Sequence, residues 1–184
     1  LLLAGEYIAG FKDLEARFRM RRFQLRGMDT PRWTGAKVKG KTVLVPCEGT
    51  PGDIIQFARY IPMIKAQGAN VVLEAPAALA DLLATVPGVD KLVIQGAALP
   101  KFDLHAPLLS LAAIFKTTAA KVPAAIPYIA PPDPGAFRLP PGGDFLKVGI
   151  AWEDERTPAH VTPTPGLRPF LDLAGLAGVT LFGL

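Results

Sequence analysis

The sequence predicts an α/β fold: a Rossmann-like, doubly wound, mainly parallel sheet with helices on both faces, preceded by an N-terminal helix. Short β-branched runs at residues 42–45, 70–74, 91–95 and 147–152 alternate with segments of helical periodicity. These runs are apolar along their whole length, the pattern of strands covered on both faces of a parallel sheet. The chain is also 50% apolar and 20% charged, enough apolar surface for a real core, which excludes a disordered or fibrous protein.

Each element has its own local reason. In residues 5–26, Tyr7, Ile8, Phe11, Leu14, Phe18 and Leu25 recur at three- and four-residue spacings, which predicts a helix. The stretch Gly27-Met28-Asp29-Thr30-Pro31 breaks it. The turn Glu48-Gly49-Thr50-Pro51-Gly52-Asp53 follows the first strand. A helix then runs to about Gln67, with Ile54, Phe57, Ala58, Ile61 and Ile64 as core positions, a kink at Pro62 and a stop at Gly68. Beyond the strand at 70–74 come a helix at 78–85, a strand at 91–95, a short strand at 102–106 and a helix at 108–116. A Pro-rich stretch over 122–143 reads as an extended linker. A strand at 147–152, a helix at 167–176 and a strand at 179–184 complete the chain. The expected division is an N-terminal helix over 1–30 and one Rossmann-like lobe over 31–184.

Charge and composition bound the function. Residues 1–41 hold ten Lys/Arg and four acids, a net of +6; the remainder holds ten and twelve, a net of −2, giving the overall +4. Arg17, Arg19, Arg21, Arg22 and Arg26 alternate with Phe18, Met20, Phe23 and Leu25, so the head reads as a basic amphipathic helix and nucleic acid is the disfavoured partner. No apolar run approaches the roughly 18 residues of a membrane helix, so no membrane span is expected. The single cysteine, Cys47, excludes an internal disulfide framework and fits a reducing compartment; a cytoplasmic location is expected. The chain opens on Leu1 without an initiating Met, as a piece of a longer product does. One Cys and two His, His105 and His160, form no ligand-spaced cluster, and no metal or other cofactor is expected.

The loop after the first strand is the most informative feature. A strand, a Gly/Pro turn and a helix start place backbone N–H groups and a positive dipole end at the carboxyl edge of the sheet, where an anion is welcome. The loop is not a dinucleotide fingerprint, because Ile54 and Ile55 stand where its third glycine would be. It is not a phosphate-binding Walker loop, because no Gly-Lys-Ser/Thr follows. Asp53 has two readings: a helix cap, or a carboxylate for catalysis or ligand binding. Asp53, Gln56 and Tyr60 are spaced i, i+3 and i+7 along one helix face; Arg59 points away and pairs with an acid or a loop carbonyl. His105 lies near the same edge, as a structural histidine or a ligand contact, and Cys47 reads as a packed strand-end residue.

These residues form a familiar string. Pro31-Arg32-Trp33-Thr34-Gly35, Gly40 to Val45, Glu48, and Gly52-Asp53-Ile54-Ile55-Gln56-Phe57-Ala58-Arg59-Tyr60 are similar to bacterial tetratricopeptide-repeat glycosyltransferases. The catalytic region of that family is heptosyltransferase-like, with the two-lobed GT-B architecture. The likeness continues through residues 68–74, Pro87-Gly88-Val89-Asp90, Phe102-Asp103-Leu104-His105, residues 107–111, Ile126-Pro127-Tyr128 and Val148-Gly149-Ile150-Ala151-Trp152. Gly5-Glu6-Tyr7, Gly10-Phe11 and Leu14 to Arg17 resemble the helix that ends a repeat array.

The resemblance implies the acceptor-side lobe of a sugar transferase, with Asp53 as candidate general base on an acceptor hydroxyl. Glu48, Gly52, Gln56, Tyr60 and His105 become candidate ligand contacts. It implies a sugar or glycan acceptor as partner, and a nucleotide-sugar only together with a second lobe. The chain departs from the family at Gly49-Thr50-Pro51, at Glu153 to Arg156 after Trp152, and at Pro163-Thr164, where the family carries Arg-Ser. A second lobe needs roughly 150–200 further residues, so no turnover is expected of this chain alone. Uncovered apolar residues of the 5–26 helix imply self-association. The alternative is a non-catalytic binding or scaffold module that keeps only the fold; a free-standing nucleotide binder has only the helix start behind it.

Overall fold

A computed structural model of the chain describes residues 1–20, 29–130, 145–151 and 166–183. The residues form two compact units, Leu1–Pro134 and Gly135–Leu184.

The first unit is built on a four-stranded parallel sheet. Strands β1 (Thr42–Pro46), β2 (Asn70–Ala75), β3 (Lys91–Ile94) and β4 (Leu104–His105) lie in the order β3-β2-β1-β4. Register runs from Thr42↔Asn70 to Pro46↔Glu74 between β1 and β2, and Val43 pairs with Leu104 across to β4. This is a Rossmann-like α/β arrangement flanked by helices, as the apolar runs predict. The strand expected over 102–106 shortens to two residues, and Arg32 extends its pairing by an isolated bridge to His105.

The helices are shorter and more broken than periodicity suggests, for local reasons. Helix α1 spans Tyr7–Leu14 only; Glu15–Arg19 tightens into a 3-10 turn and Met20 is extended. Arg17 turns inward there, and residues 21–28, with the basic alternation read there, lie outside the described residues. Helix α2 (Pro51–Ala58) and helix α3 (Ile61–Lys65) replace one long helix. Pro62 has no N–H to offer Ala58, so the chain passes the break with three-residue bonds, Tyr60 N–H to Phe57 and Met63 N–H to Tyr60. Helix α4 (Ala80–Ala84) and helix α5 (Leu111–Ile114) each follow a 3-10 turn, at Ala77–Leu79 and Leu108–Ser110.

The two faces of the sheet are unequal. Val43, Val45, Val71 and Leu73 join the large core, together with Ile54, Phe57, Ala58, Ile61 and Ile64, every position the helical spacing assigned to it. Each large side chain there contributes about 1.5–3 kcal/mol by leaving water. The opposite face is small: Leu44, Val72 and Val93 are covered by Leu99 and Phe102 of the β3–β4 connection. Trp33 is fully buried, its Nε1 donating to the Ala36 carbonyl at 2.7 Å and its ring set edge-on to Phe115.

In the second unit, β5 (Leu146–Ile150) pairs in parallel with β6 (Val179–Gly183), from Leu146↔Val179 to Ile150↔Gly183. These strands, drawn within a lobe over 31–184 from the sequence, form a sheet of their own. The helix expected over 167–176 is a 3-10 helix, Arg168–Gly175. Residues 131–143 of the Pro-rich stretch, and the charged run with His160 and Pro163-Thr164, lie outside the described residues.

Among the described residues of this unit, a parallel two-stranded sheet leaves Phe145, Leu146, Leu171 and Leu176 exposed, little burial for a sheet that must stand by itself. A fragment of residues 1–134 is expected to unfold in one cooperative thermal transition followed by circular dichroism. A fragment of residues 135–184 is expected to show none.

Candidate functional site

In this strand order the chain leaves β1 toward β2 and β3 and returns to the other side of β1 for β4. The topological switch point, where such sheets take ligands, therefore lies between the carboxyl ends of β1 and β4. Glu48 follows β1 there, and the 3-10 turn Leu108–Ser110 follows β4.

The crevice is filled by the chain's own residues. Glu48 is only 6% exposed. Its Oε2 accepts from the Leu108 N–H at 3.0 Å, and its Oε1 accepts from the Leu109 N–H at 3.2 Å and from Arg17 Nη2 at 2.7 Å. Arg17, 4% exposed, also donates from Nη2 to Ser110 Oγ at 2.6 Å and from Nη1 to Glu15 Oε1 at 2.8 Å. Arg32 donates to the same Ser110 hydroxyl at 2.8 Å and pairs with Glu15 Oε2. Burial pushes the Glu48 carboxyl up from its ordinary value, and the Arg17 guanidinium and the two N–H groups pull against it. Burial acts upward on Glu15 as well, but Arg17 and Arg32 outweigh it and hold that carboxyl low.

Ligand-accessible space opens beside this network. Between α1 and α2 lies a groove of about 510 Å³. Phe11 and Leu14 line it from α1, Asp53, Gln56 and Phe57 from α2, and Arg17, Gly49 and Leu109 from the network side. The groove thus combines an apolar wall with a carboxylate and an amide, the composition of small-molecule sites.

The start of α2 explains how Asp53 is held. Thr50 is the N-cap, Pro51 takes the first helical position where no N–H is needed, and Asp53 completes a capping box. Asp53 Oδ2 accepts from the Thr50 N–H at 2.8 Å and the Thr50 hydroxyl at 2.7 Å, while the Asp53 N–H donates back to Thr50 Oγ1 at 3.3 Å. Gly49 has φ 95°, and a Cβ there would stand 2.9 Å from Asp53 Oδ2, so only glycine leaves that carboxylate in place. With no N–H on Pro51 and that of Asp53 used in the cap, Gly52 holds the spare donor of the first turn. The capping reading of Asp53 is realised, and its Oδ1 carries no hydrogen bond among the described residues.

The other candidates are scattered. Gln56 joins Asp53 in the groove, and Gly52 stands exposed at the helix start. Tyr60 falls beyond the end of α2, off the face it was expected to share. It is buried, donating to Thr117 Oγ1 at 3.0 Å, and burial raises its phenol despite that bond. His105 sits on β4, 3% exposed; its Nδ1 is 3.4 Å from Thr30 Oγ1 and its Nε2 has no partner among the described residues. Arg59 takes a loop carbonyl, donating to Pro123 at 2.8 Å and stacking over Tyr128. Cys47 is a packed strand-end thiol, pushed up by burial and then by the Glu48 and Glu74 charges, which makes it unreactive. Among the described residues no group of three His, Cys, Asp or Glu could hold a metal, and no helix is long and apolar enough to cross a membrane.

Sequence reasoning missed Arg17, Ser110 and Leu109. The signal for Arg17 was present: it follows Leu14 by three residues and so continues the inward stripe of Phe11 and Leu14 as well as Phe18 does.

His105 gives a pH dependence of known sign. Burial disfavours its charged form and Arg32 adds repulsion, while the contact with Thr30 acts the other way; the net effect holds the imidazole below its ordinary value. The folded chain then binds fewer protons than the unfolded chain through this window, so stability is full above about pH 6.5 and falls as pH drops. The raised Glu48 carboxyl acts in the opposite sense over the same window, so the His105 contribution is read as a difference: urea unfolding between pH 7 and pH 5 should lose more stability in the wild type than in His105→Gln.

Comparison with protein-family models, with curated proteins and with solved structures gives no match to this chain.

Proposed function

We propose that the chain is the acceptor-side lobe of a glycosyltransferase-like protein, binding a sugar or glycan acceptor in the groove between α1 and α2 and performing no turnover by itself. One observation supports this most directly. Asp53, the residue the resemblance marks as general base, lines a groove of about 510 Å³ beside Gln56 while keeping one carboxylate oxygen outside its capping bonds. A base needs such an oxygen within reach of the hydroxyl it deprotonates. Gln56 supplies both a donor and an acceptor to orient a polyol. The apolar wall of Phe11, Leu14 and Phe57 suits the C–H face of a sugar ring.

The second reading, a non-catalytic binding or scaffold module, draws on the saturation of Glu48 and the capping work of Asp53. Both carboxylates already serve the fold.

Two substitutions separate these roles. Asp53→Asn keeps an oxygen for the Thr50 donors but removes the charge, whereas Thr50→Ala removes the N-cap and keeps the carboxylate. Thr50→Ala should cost about 1 kcal/mol of stability and leave saccharide-induced NMR shifts at the groove unchanged. Asp53→Asn should leave stability nearly unchanged and weaken those shifts about tenfold. Shifts that follow stability alone, or no shifts at millimolar saccharide, would favour the scaffold reading.

A further inference from the structure

We infer that the N-terminal edge of the four-stranded sheet is a docking face for an anionic lipid surface. Lys39 and Lys41 precede β1, Lys91 opens β3 and Lys101 precedes β4, so the parallel strands bring all four to one edge. The backbone fixes them there. The Gly40 N–H donates to Gly68 O at 2.8 Å, the Asn70 N–H to Lys41 O at 2.8 Å, and the Asp103 N–H to Thr42 O at 2.9 Å. All four lysines are exposed, and none takes part in an ion pair among the described residues.

The carboxylates that could neutralise this edge are engaged. Asp90 accepts from Lys65 Nζ at 2.6 Å and from the Val71 N–H at 2.7 Å, and Asp103 accepts from the Thr42 N–H at 2.7 Å. Lys39, Lys41, Lys65, Lys91 and Lys101 against these two acids leave a local charge of +3. Lys91 opens one outermost strand and Lys101 leads into the other, so the charge spreads over roughly three strand spacings, about 14 Å.

The chemistry of the row favours lipid over nucleic acid. Lysines act as point charges with no fork to fix a phosphate bidentately. Phe102, beside Lys101 in sequence, is packed toward Leu44, Val72 and Val93, away from any base it could stack on. A blunt sheet edge presents no helix or ribbon to a groove. A fluid anionic leaflet asks only for a broad positive field within a Debye length of its surface.

The test is sedimentation of the full chain with vesicles of phosphatidylcholine, with and without phosphatidylglycerol, at near-physiological ionic strength. Partition is expected only with phosphatidylglycerol, and it should fall as salt rises. Each lysine near the surface is worth about fivefold, so Lys41→Glu with Lys101→Glu should weaken partition at least about 25-fold. Lys12→Glu with Arg19→Glu makes the same change in net charge elsewhere and should weaken it less than about fivefold. Melting curves establish that both variants fold, and Lys→Gln at the same positions replaces a variant that does not. No partition at any ionic strength, equal loss in both variants, or tighter binding of single-stranded RNA lost by the edge substitutions would overturn the proposal.

Discussion

Glu48 brings a charge to the top of a parallel sheet, where water is excluded, and the surrounding structure is organised to receive it. A carboxylate in that position is stable only when its lone pairs are met by donors, and three come from two distant parts of the chain: Arg17, and the N–H groups of Leu108 and Leu109. The N-terminal segment is therefore tied to the carboxyl ends of β1 and β4 at once. Ser110, fully buried, accepts from Arg17 and Arg32 and closes the ring through Glu15. One ionic network thus ties the turn after α1 to the carboxyl edge of the sheet, beside the groove.

This network changes what the switch point can do. In an open α/β sheet the crevice between β1 and β4 is the natural ligand site, but here a guanidinium of the same chain stands in it. Accessible space is displaced sideways, to the groove between α1 and α2, where Asp53 and Gln56 are available. The capping box keeps Asp53 oriented: its bonds to Thr50 use one carboxylate oxygen, and Gly49 leaves room for the group. Under the proposed reading, the candidate base and the structural cap are the same residue.

Much of the fold was legible in the sequence, because its causes are local. The apolar runs at β1 and β2 gave parallel strands, the three- and four-residue spacing from Ile54 to Ile64 gave the core face, and Pro62 gave the break. What was not legible depends on partners far apart along the chain. Arg17 meets Glu48 across 31 residues and Ser110 across 93, so a residue in a basic stripe becomes one of the least exposed side chains. Tyr60 was placed on a ligand face by its spacing, but the helix ends before it and Thr117, 57 residues away, takes its hydroxyl into the core. Of the candidate site, Asp53 and Gln56 are brought together because they share one unbroken helix, whereas His105 is buried on β4 beside Thr30.

Arg17 and Glu48 depend on each other, and a double-mutant cycle on unfolding free energy measures that dependence. Removal of one partner from a buried pair typically costs about 3–5 kcal/mol, so Arg17→Ala should be strongly destabilising. In the Glu48→Gln background, where no buried charge is left behind, the same substitution should cost at least about 1 kcal/mol less. Additivity within about 0.5 kcal/mol would contradict the account, because it would mean that the two side chains are stabilised independently.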